Sequence, residues 1–287
     1  MRLRSLLPKA FHELASRAYV TVGTSTAPLR MEPSFAMVGA SRAGTTTLFR
    51  ALSQHPQTVR PPVNKGVRYF DLNYGQGWSW YRGHFPVART ATLRAGSWAP
   101  PAAFEASGYY LFHPFAIERM ARDLPDVRLV AMLRDPVERA FSAWKHESAR
   151  GFEWESFERA LELEDERLLG EVDRMARDVT YESFCHRHQS HRSRGEYVDQ
   201  LERALQVFPR SQIHVIQSEA FFARPEHEYR RLSDFLGLRP FYGASFEQQN
   251  ARPSSPMPTT TRRALEGHFA PYNDRLERLL GEPLMWS

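Results

Sequence analysis

The stretch FAMVGASRAGTTTLFRAL, residues 35–52, concentrates residues suited to holding an anion. Gly39 and Gly44 bracket four residues, with an apolar run before them and apolar residues at helical spacing after. A glycine-rich turn that leads into a helix aims backbone N–H groups and the positive end of the helix dipole at an anion. Thr45, Thr46 and Thr47 add hydroxyls, and Arg42 adds a cation inside the loop. The spacing approaches G-x-x-x-x-G-K-[ST], yet Thr45 stands where a triphosphate-binding loop carries lysine. No clear acidic partner for a metal accompanies it. A purely structural Gly/Thr turn is the alternative, and the position between a buried strand and a helix favours phosphate.

A second constellation lies in LRDPVERAFSAWKHE. Arg134 ends an apolar strand, the place where open α/β sheets bind ligands. Ser142 follows eight residues later, about two turns along the next helix. A guanidinium and a hydroxyl brought together this way clasp a phosphate well. Alone, Arg134 would more simply pair with Asp135 or Glu138. Two anion sites at the ends of two parallel strands instead suit a nucleotide phosphorylated at both 5′ and 3′ positions.

Elements must position these groups. Strands are expected at Phe35–Val38, in RLVAMLRDP (128–136) and in QIHVIQSEAF. Helices are expected from Thr45 to Gln54, through VERAFSAWKHE, and near 196–208 and 225–236, with one or two more in TTRRALEGHFAPYNDRLERLL. NKGVRYFDLNY reads as a short strand or extended loop, and GWSWYRGHF as an aromatic-rich connection. Strands alternating with helices imply an α/β fold: one P-loop-like domain, a central parallel sheet with helices on both faces. The 287 residues suffice for such a core, and 42% hydrophobic content argues against disorder. The net charge of +5 favours anionic ligands, but no nucleic-acid recognition motif accompanies it. Cys185 is the single cysteine, which excludes an intrachain disulfide and a thiolate zinc cluster. No apolar run approaches the roughly 20 residues of a membrane span. Residues 1–33 form a basic N-terminal segment without the apolar core of a signal peptide. Its apolar residues recur near helical spacing, so it could lie on an anionic membrane surface or pack on its own domain.

GASRAGTTTL resembles the 5′-phosphosulfate loop of sulfotransferases that use 3′-phosphoadenosine-5′-phosphosulfate (PAPS), and LRDPVERAFSAW resembles their 3′-phosphate segment. The similarity is to the branch with heparan sulfate N- and O-sulfotransferases and bacterial relatives. It covers most of residues 34–286, taking in KGVRYFD, FEASGYYLFHP, RGEYVDQLERALQVFP and the C-terminal FAPYNDRLERLLGEPLMW in order. The resemblance implies a sulfotransferase domain over 34–287, PAPS as donor and no metal. It assigns Arg42, Ala43, Gly44, Thr45 and Thr46 to the 5′-phosphate, and Arg134 and Ser142 to the 3′-phosphate. Tyr197 and Arg252 are further candidates beside the nucleotide, with core tyrosine and surface charge as their alternatives. Arg42 stands where the family carries lysine. It supplies charge and hydrogen bonds but cannot donate a proton.

The acceptor side departs from the pattern. The glutamate that serves the glycosaminoglycan enzymes as base corresponds to Gly66, and their neighbouring histidine to Arg68. A lysine of several members corresponds to Ala106, and the usual proline to Gly108. Asp71 matches the family's active-site aspartate and is the first candidate base. His84, Glu105 and His113 follow it, each with a structural role as the alternative: Glu105 anchoring its loop, His113 capping the next helix. Lys65 is retained and is expected to face the transferring group. Trp78, Trp80, Tyr81 and Phe85 could stack an acceptor or simply pack the core. The expected reaction is in-line transfer of a sulfuryl group to a hydroxyl or amine of a carbohydrate, glycolipid or small metabolite. A catalytically inactive PAPS-binding protein is the alternative, and the absent lysine argues against a kinase. Set beside the Golgi-lumen members of the resembling family, the lack of a membrane anchor and of disulfides implies a cytoplasmic, bacterial member, with membrane contact confined to the N-terminal segment; acceptor and oligomeric state are not legible.

Overall fold

A computed structural model describes residues 9–95, 100–247 and 256–286. Five strands form one sheet: β1 (Pro33–Gly39), β2 (Thr58–Val59), β3 (Ala102–Ala106), β4 (Arg128–Leu133) and β5 (Ile213–Gln217), in the order β2-β3-β1-β4-β5. Every pairing is parallel. β1 and β4 are buried almost throughout, which is why they read as unbroken apolar runs. Phe35 of β1 stacks on Phe104 of β3 at 4.8 Å, and Phe49 from the following helix packs on the same ring.

The helices Thr45–Gln54, Pro136–Ser148, Tyr197–Val207 and Pro225–Leu236 form where apolar spacing places them. The C-terminal segment is one helix, Thr259–Leu280, continuous through Pro271. Other elements differ from expectation. NKGVRYFDLNY stays extended only to Arg68 and then turns into the helix Tyr69–Leu72, because Arg68 adopts φ 59° and reverses the chain. Asn73 fixes that turn, donating its side-chain amide to the carbonyls of Val67 and Arg68. GWSWYRGHF contains the helix Trp78–Gly83, with Tyr81 and Phe85 fully buried. The third expected strand ends at Gln217, and SEAF begins the helix Ser218–Ala223.

The described part of the N-terminal segment, Lys9–Ser25, is helical. It docks on the domain through Tyr19, whose hydroxyl meets Arg30 Nη1 at 3.0 Å; the same guanidinium reaches the Gly83 carbonyl at 3.1 Å. No described helix is long and apolar enough to cross a membrane.

Candidate active site

The glycine-rich loop begins where β1 ends. Ala40 N–H donates to the Met132 carbonyl of β4 at 2.7 Å, and Ala43 N–H turns back to the Ala40 carbonyl at 3.3 Å. Gly44 takes φ 87° and opens the helix Thr45–Gln54 with no side-chain cap. A Cβ there would lie 2.8 Å from the Phe222 ring, so only glycine admits both the turn and the packing. The first amides of the helix, at Thr45 and Thr46, therefore sit at an uncapped positive dipole end.

The second segment meets this loop directly. Arg42 Nε donates to Ser142 Oγ at 3.2 Å, and Arg134 Nη1 donates to the Arg42 carbonyl at 3.5 Å. Residues about a hundred positions apart thus meet in one cation-rich corner above neighbouring strands. Arg134 also makes the local ion pair with Glu138, at 3.7 Å, and Glu138 in turn accepts from Arg262. Lys145 joins this corner unforeseen. It lies one turn beyond Ser142, and burial together with the positive charges of Arg134 and Arg42 lowers its pKa, despite the opposing pull of Glu138. The i, i+3 spacing from Ser142 was the available signal.

Lys65 brings an ammonium to Thr45, the residue at the position where a triphosphate-binding loop carries lysine. Its Nζ lies 3.3 Å from the Thr45 carbonyl and 3.4 Å from the Thr45 hydroxyl. Burial, with Arg50 nearby, lowers its pKa to about 8.

Other expected residues turn out to be supports. Tyr197 is buried and donates its hydroxyl to the Arg134 carbonyl at 2.9 Å, so it holds the backbone of the second segment. Glu105 is fully buried and accepts from Val67 N–H at 2.7 Å, Tyr81 at 2.8 Å and Tyr110 at 3.1 Å. Burial raises its carboxyl to about 7 against those three bonds. His113 Nδ1 accepts from Phe115 N–H at 3.2 Å ahead of the helix Ala116–Asp123, and burial lowers its pKa to about 3. His84 is buried beside Trp80, its pKa lowered by burial to about 4. Arg252 lies outside the described residues.

Asp71 also stands back from solvent. Its side chain has no exposed surface; Oδ1 accepts from Leu72 N–H at 2.7 Å and Oδ2 from Ser107 Oγ at 2.9 Å. Burial raises its pKa, opposed by Arg68 at 3.9 Å and by those hydrogen bonds. Asp71 therefore meets the site through Ser107.

Beside the glycine-rich loop opens a cleft of about 250 Å³. Ser41 after β1, Ser107 and Gly108 after β3, and His146 and Glu147 from the helix after β4 contribute to its wall. This is the crevice at the carboxyl ends of the strands where the chain order reverses around β1. Arg68, Arg150 and Arg187 bring positive charge to it. Gly66 lies on the same wall, and its setting explains the missing glutamate. Ala106 N–H donates to the Lys65 carbonyl at 3.2 Å, and a Cβ on Gly66 would fall 2.2 Å from the Ala106 carbonyl oxygen.

The family model described as "Sulfotransferase domain" matches residues 32–251. A membrane-associated sulfotransferase of Dictyostelium discoideum is 25% identical over 89% of this chain and 66% of its own length. The human bifunctional heparan sulfate N-deacetylase/N-sulfotransferase 3 is 24% identical over 88% of this chain and 30% of its own length. The chain thus spans less than two thirds of either relative. A crystal structure of a sulfotransferase from Alicyclobacillus acidocaldarius superposes with TM-score 0.66 at 31% identity, covering 88% of this chain and 98% of that one.

Proposed function

The chain belongs to the sulfotransferase family and is a sulfuryl-transferring enzyme, and from that premise we propose how its residues divide the work. PAPS is the donor. The uncapped amides of Thr45 and Thr46, the loop Arg42–Gly44 and the Lys65 ammonium hold the 5′-phosphate, while Arg134, Ser142 and Lys145 hold the 3′-phosphate. The observation that carries this reading is the hydrogen-bonded junction of Arg42 with Ser142 and Arg134, which brings the residues proposed for the two phosphates together. The donor set fits such a ligand: cations, hydroxyls and backbone N–H groups. Three carboxylates adjoin this corner: Glu138, paired with Arg134 and Arg262, and Asp135 and Glu219, of which Glu219 accepts from Asp135 N–H and feels the charge of Arg134.

In-line transfer needs charge stabilisation on the departing phosphate oxygen more than covalent help. Arg42 and Lys65 supply it; with a pKa near 8, Lys65 can also give up a proton, which Arg42 cannot. Asp71 acts as a positioning residue for Ser107. The acceptor is a carbohydrate or other molecule offering a hydroxyl or amine, and the cleft arginines favour one that carries negative charge. Transfer proceeds without a metal. The setting is cytoplasmic and bacterial, which the single cysteine supports. The basic N-terminal segment also contacts anionic membrane, which vesicle flotation would test.

Calorimetry with adenosine 3′,5′-bisphosphate, AMP, ADP and ATP tests the donor site. Preference for the bisphosphate is the expected result, and equal or stronger binding of ATP would overturn the reading. Transfer of labelled sulfate from PAPS in the presence of EDTA tests the absence of a metal step.

A further inference from the structure

We propose that Glu147 and His188 form the acceptor-side base of this enzyme; the inference rests on the donor site proposed above. The family's base position is closed at Gly66, where even a Cβ has no room, and Asp71 is sealed beneath Ser107. A base has to come from another wall of the cleft. Glu147 and His188 both line it, from the helices Pro136–Ser148 and Phe184–His188.

The pair is built for proton abstraction. His188 Nδ1 lies 2.8 Å from Glu147 Oε2. Burial alone would raise the Glu147 pKa, but the bond to His188 and the charge of Arg150 hold it below the ordinary range, so it remains a carboxylate. A carboxylate accepts only, so Nδ1 carries the proton and Nε2 is the basic nitrogen. The same orienting logic sets the tautomer in hydrolytic triads. Both members are fixed. The Glu147 carbonyl accepts from Phe152 N–H at 2.9 Å, and the His188 ring packs against Phe152 and Phe184, at 4.5 and 5.0 Å.

The placement suits transfer. Glu147 follows Ser142 by five residues on one helix, about 7.5 Å along the axis, and Ser142 is hydrogen-bonded to Arg42 in the glycine-rich loop. The dyad thus lines the same cleft as Ser41 of the glycine-rich loop and Ser107 and Gly108 after β3. In the step, His188 Nε2 takes the acceptor proton as the acceptor oxygen or nitrogen bonds to sulfur. The bond from sulfur to the 5′-phosphate oxygen breaks, and its electron pair leaves with that oxygen. The imidazolium then returns its proton to water.

His146, Arg68, Arg150, Arg187 and Arg194 also face this space, so a pH dependence has to be assigned by substitution. The test uses water as acceptor: hydrolysis of ³⁵S-labelled PAPS to sulfate and adenosine 3′,5′-bisphosphate, followed from pH 5.5 to 9. The wild type is expected to hydrolyse PAPS above the uncatalysed rate, with a limb that rises as a base deprotonates. His188→Ala should lose about 100-fold or more in rate, lose that limb and recover at least about tenfold with added imidazole. It should keep its bisphosphate affinity. Glu147→Gln should also slow hydrolysis, and His146→Gln should leave the limb in place. His188→Gln carries the same test if the alanine variant does not fold. Bisphosphate binding without wild-type hydrolysis overturns the dyad, as does a limb that survives in His188→Ala or a variant that imidazole does not rescue. Failure of the wild type to bind the bisphosphate overturns the donor site itself and is read separately.

Discussion

Gly66→Ala adds a single methyl group where the backbone leaves no space. That Cβ would lie 2.2 Å from the Ala106 oxygen and 2.9 Å from its carbonyl carbon, against 3.4–4 Å for ordinary contact. The segments carrying Lys65 and Ala106 must separate by about 1 Å, a distance that breaks the hydrogen bond from Ala106 N–H to the Lys65 carbonyl. Losing a buried backbone bond costs about 1–3 kcal/mol, and the displaced packing costs about 1–3 kcal/mol more. At about 2–4 °C per kcal/mol for a chain of this size, the melting temperature should fall by roughly 5–20 °C. Differential scanning calorimetry measures it, with and without adenosine 3′,5′-bisphosphate. The shift displaces Lys65 from Thr45, so bisphosphate affinity should fall as well. Gly66→Glu, which restores the residue the resembling enzymes use as base, should be no more active than Gly66→Ala. A Gly66→Ala protein melting within about 2 °C of wild type, or a stable and faster Gly66→Glu, would refute the close approach.

Arg134→Ala should weaken adenosine 3′,5′-bisphosphate binding by about 10- to 100-fold, the loss of a charged hydrogen bond, while AMP affinity stays nearly constant; calorimetry with both ligands checks this. Lys65 is lowered to about 8, so its ammonium is present below that pH and lost above it. Bisphosphate affinity should decline above pH 8, and Lys65→Met should bind weakly at every pH with that limb absent. Glu105 is raised to about 7. The folded state then holds a proton that the unfolded state releases at lower pH, so its contribution to stability is lost as pH rises from the ordinary carboxyl range through 7. Melting curves should show that slope in wild type and not in Glu105→Gln. That variant should also be less stable at low pH by about 1–3 kcal/mol, because an amide cannot accept from Val67, Tyr81 and Tyr110 together.

The parts legible in the sequence are those whose environment is local. β1 and β4 are buried on both faces, so their residues read as continuous apolar runs, and Gly44 and Pro136 mark the starts of the helices that follow them. β3 is not legible because its sequence, AAFEA, carries a carboxyl that is tolerable in a buried strand only where Tyr81, Tyr110 and Val67 N–H converge on it. Those partners lie in other segments. The same holds at the site. Arg42, Arg134 and Ser142 were recognisable as residue types, but their junction exists only because β1 and β4 are neighbours. Lys65 reaches Thr45 across twenty residues, and His188 reaches Glu147 across forty-one. Within the histidine-rich CHRHQSH no spacing distinguishes His188 from His186, which instead bonds Tyr109 in the interior.

The adjacency of β1 and β4 has a consequence for evolvability. The two proposed phosphate sites follow strands that hydrogen bonding holds about 4.8 Å apart, so the span between them is as inextensible as the sheet. A donor of different phosphate spacing cannot be accommodated by exchanging side chains; the ladder itself would have to be rebuilt. Apart from Gly66 and Ala106, whose backbones pack against each other, the cleft wall is made of loop ends and helix ends without such a tie, and those residues can be exchanged without disturbing the sheet. Selection, or a protein engineer, can therefore change what receives the sulfuryl group many times while what delivers it stays the same.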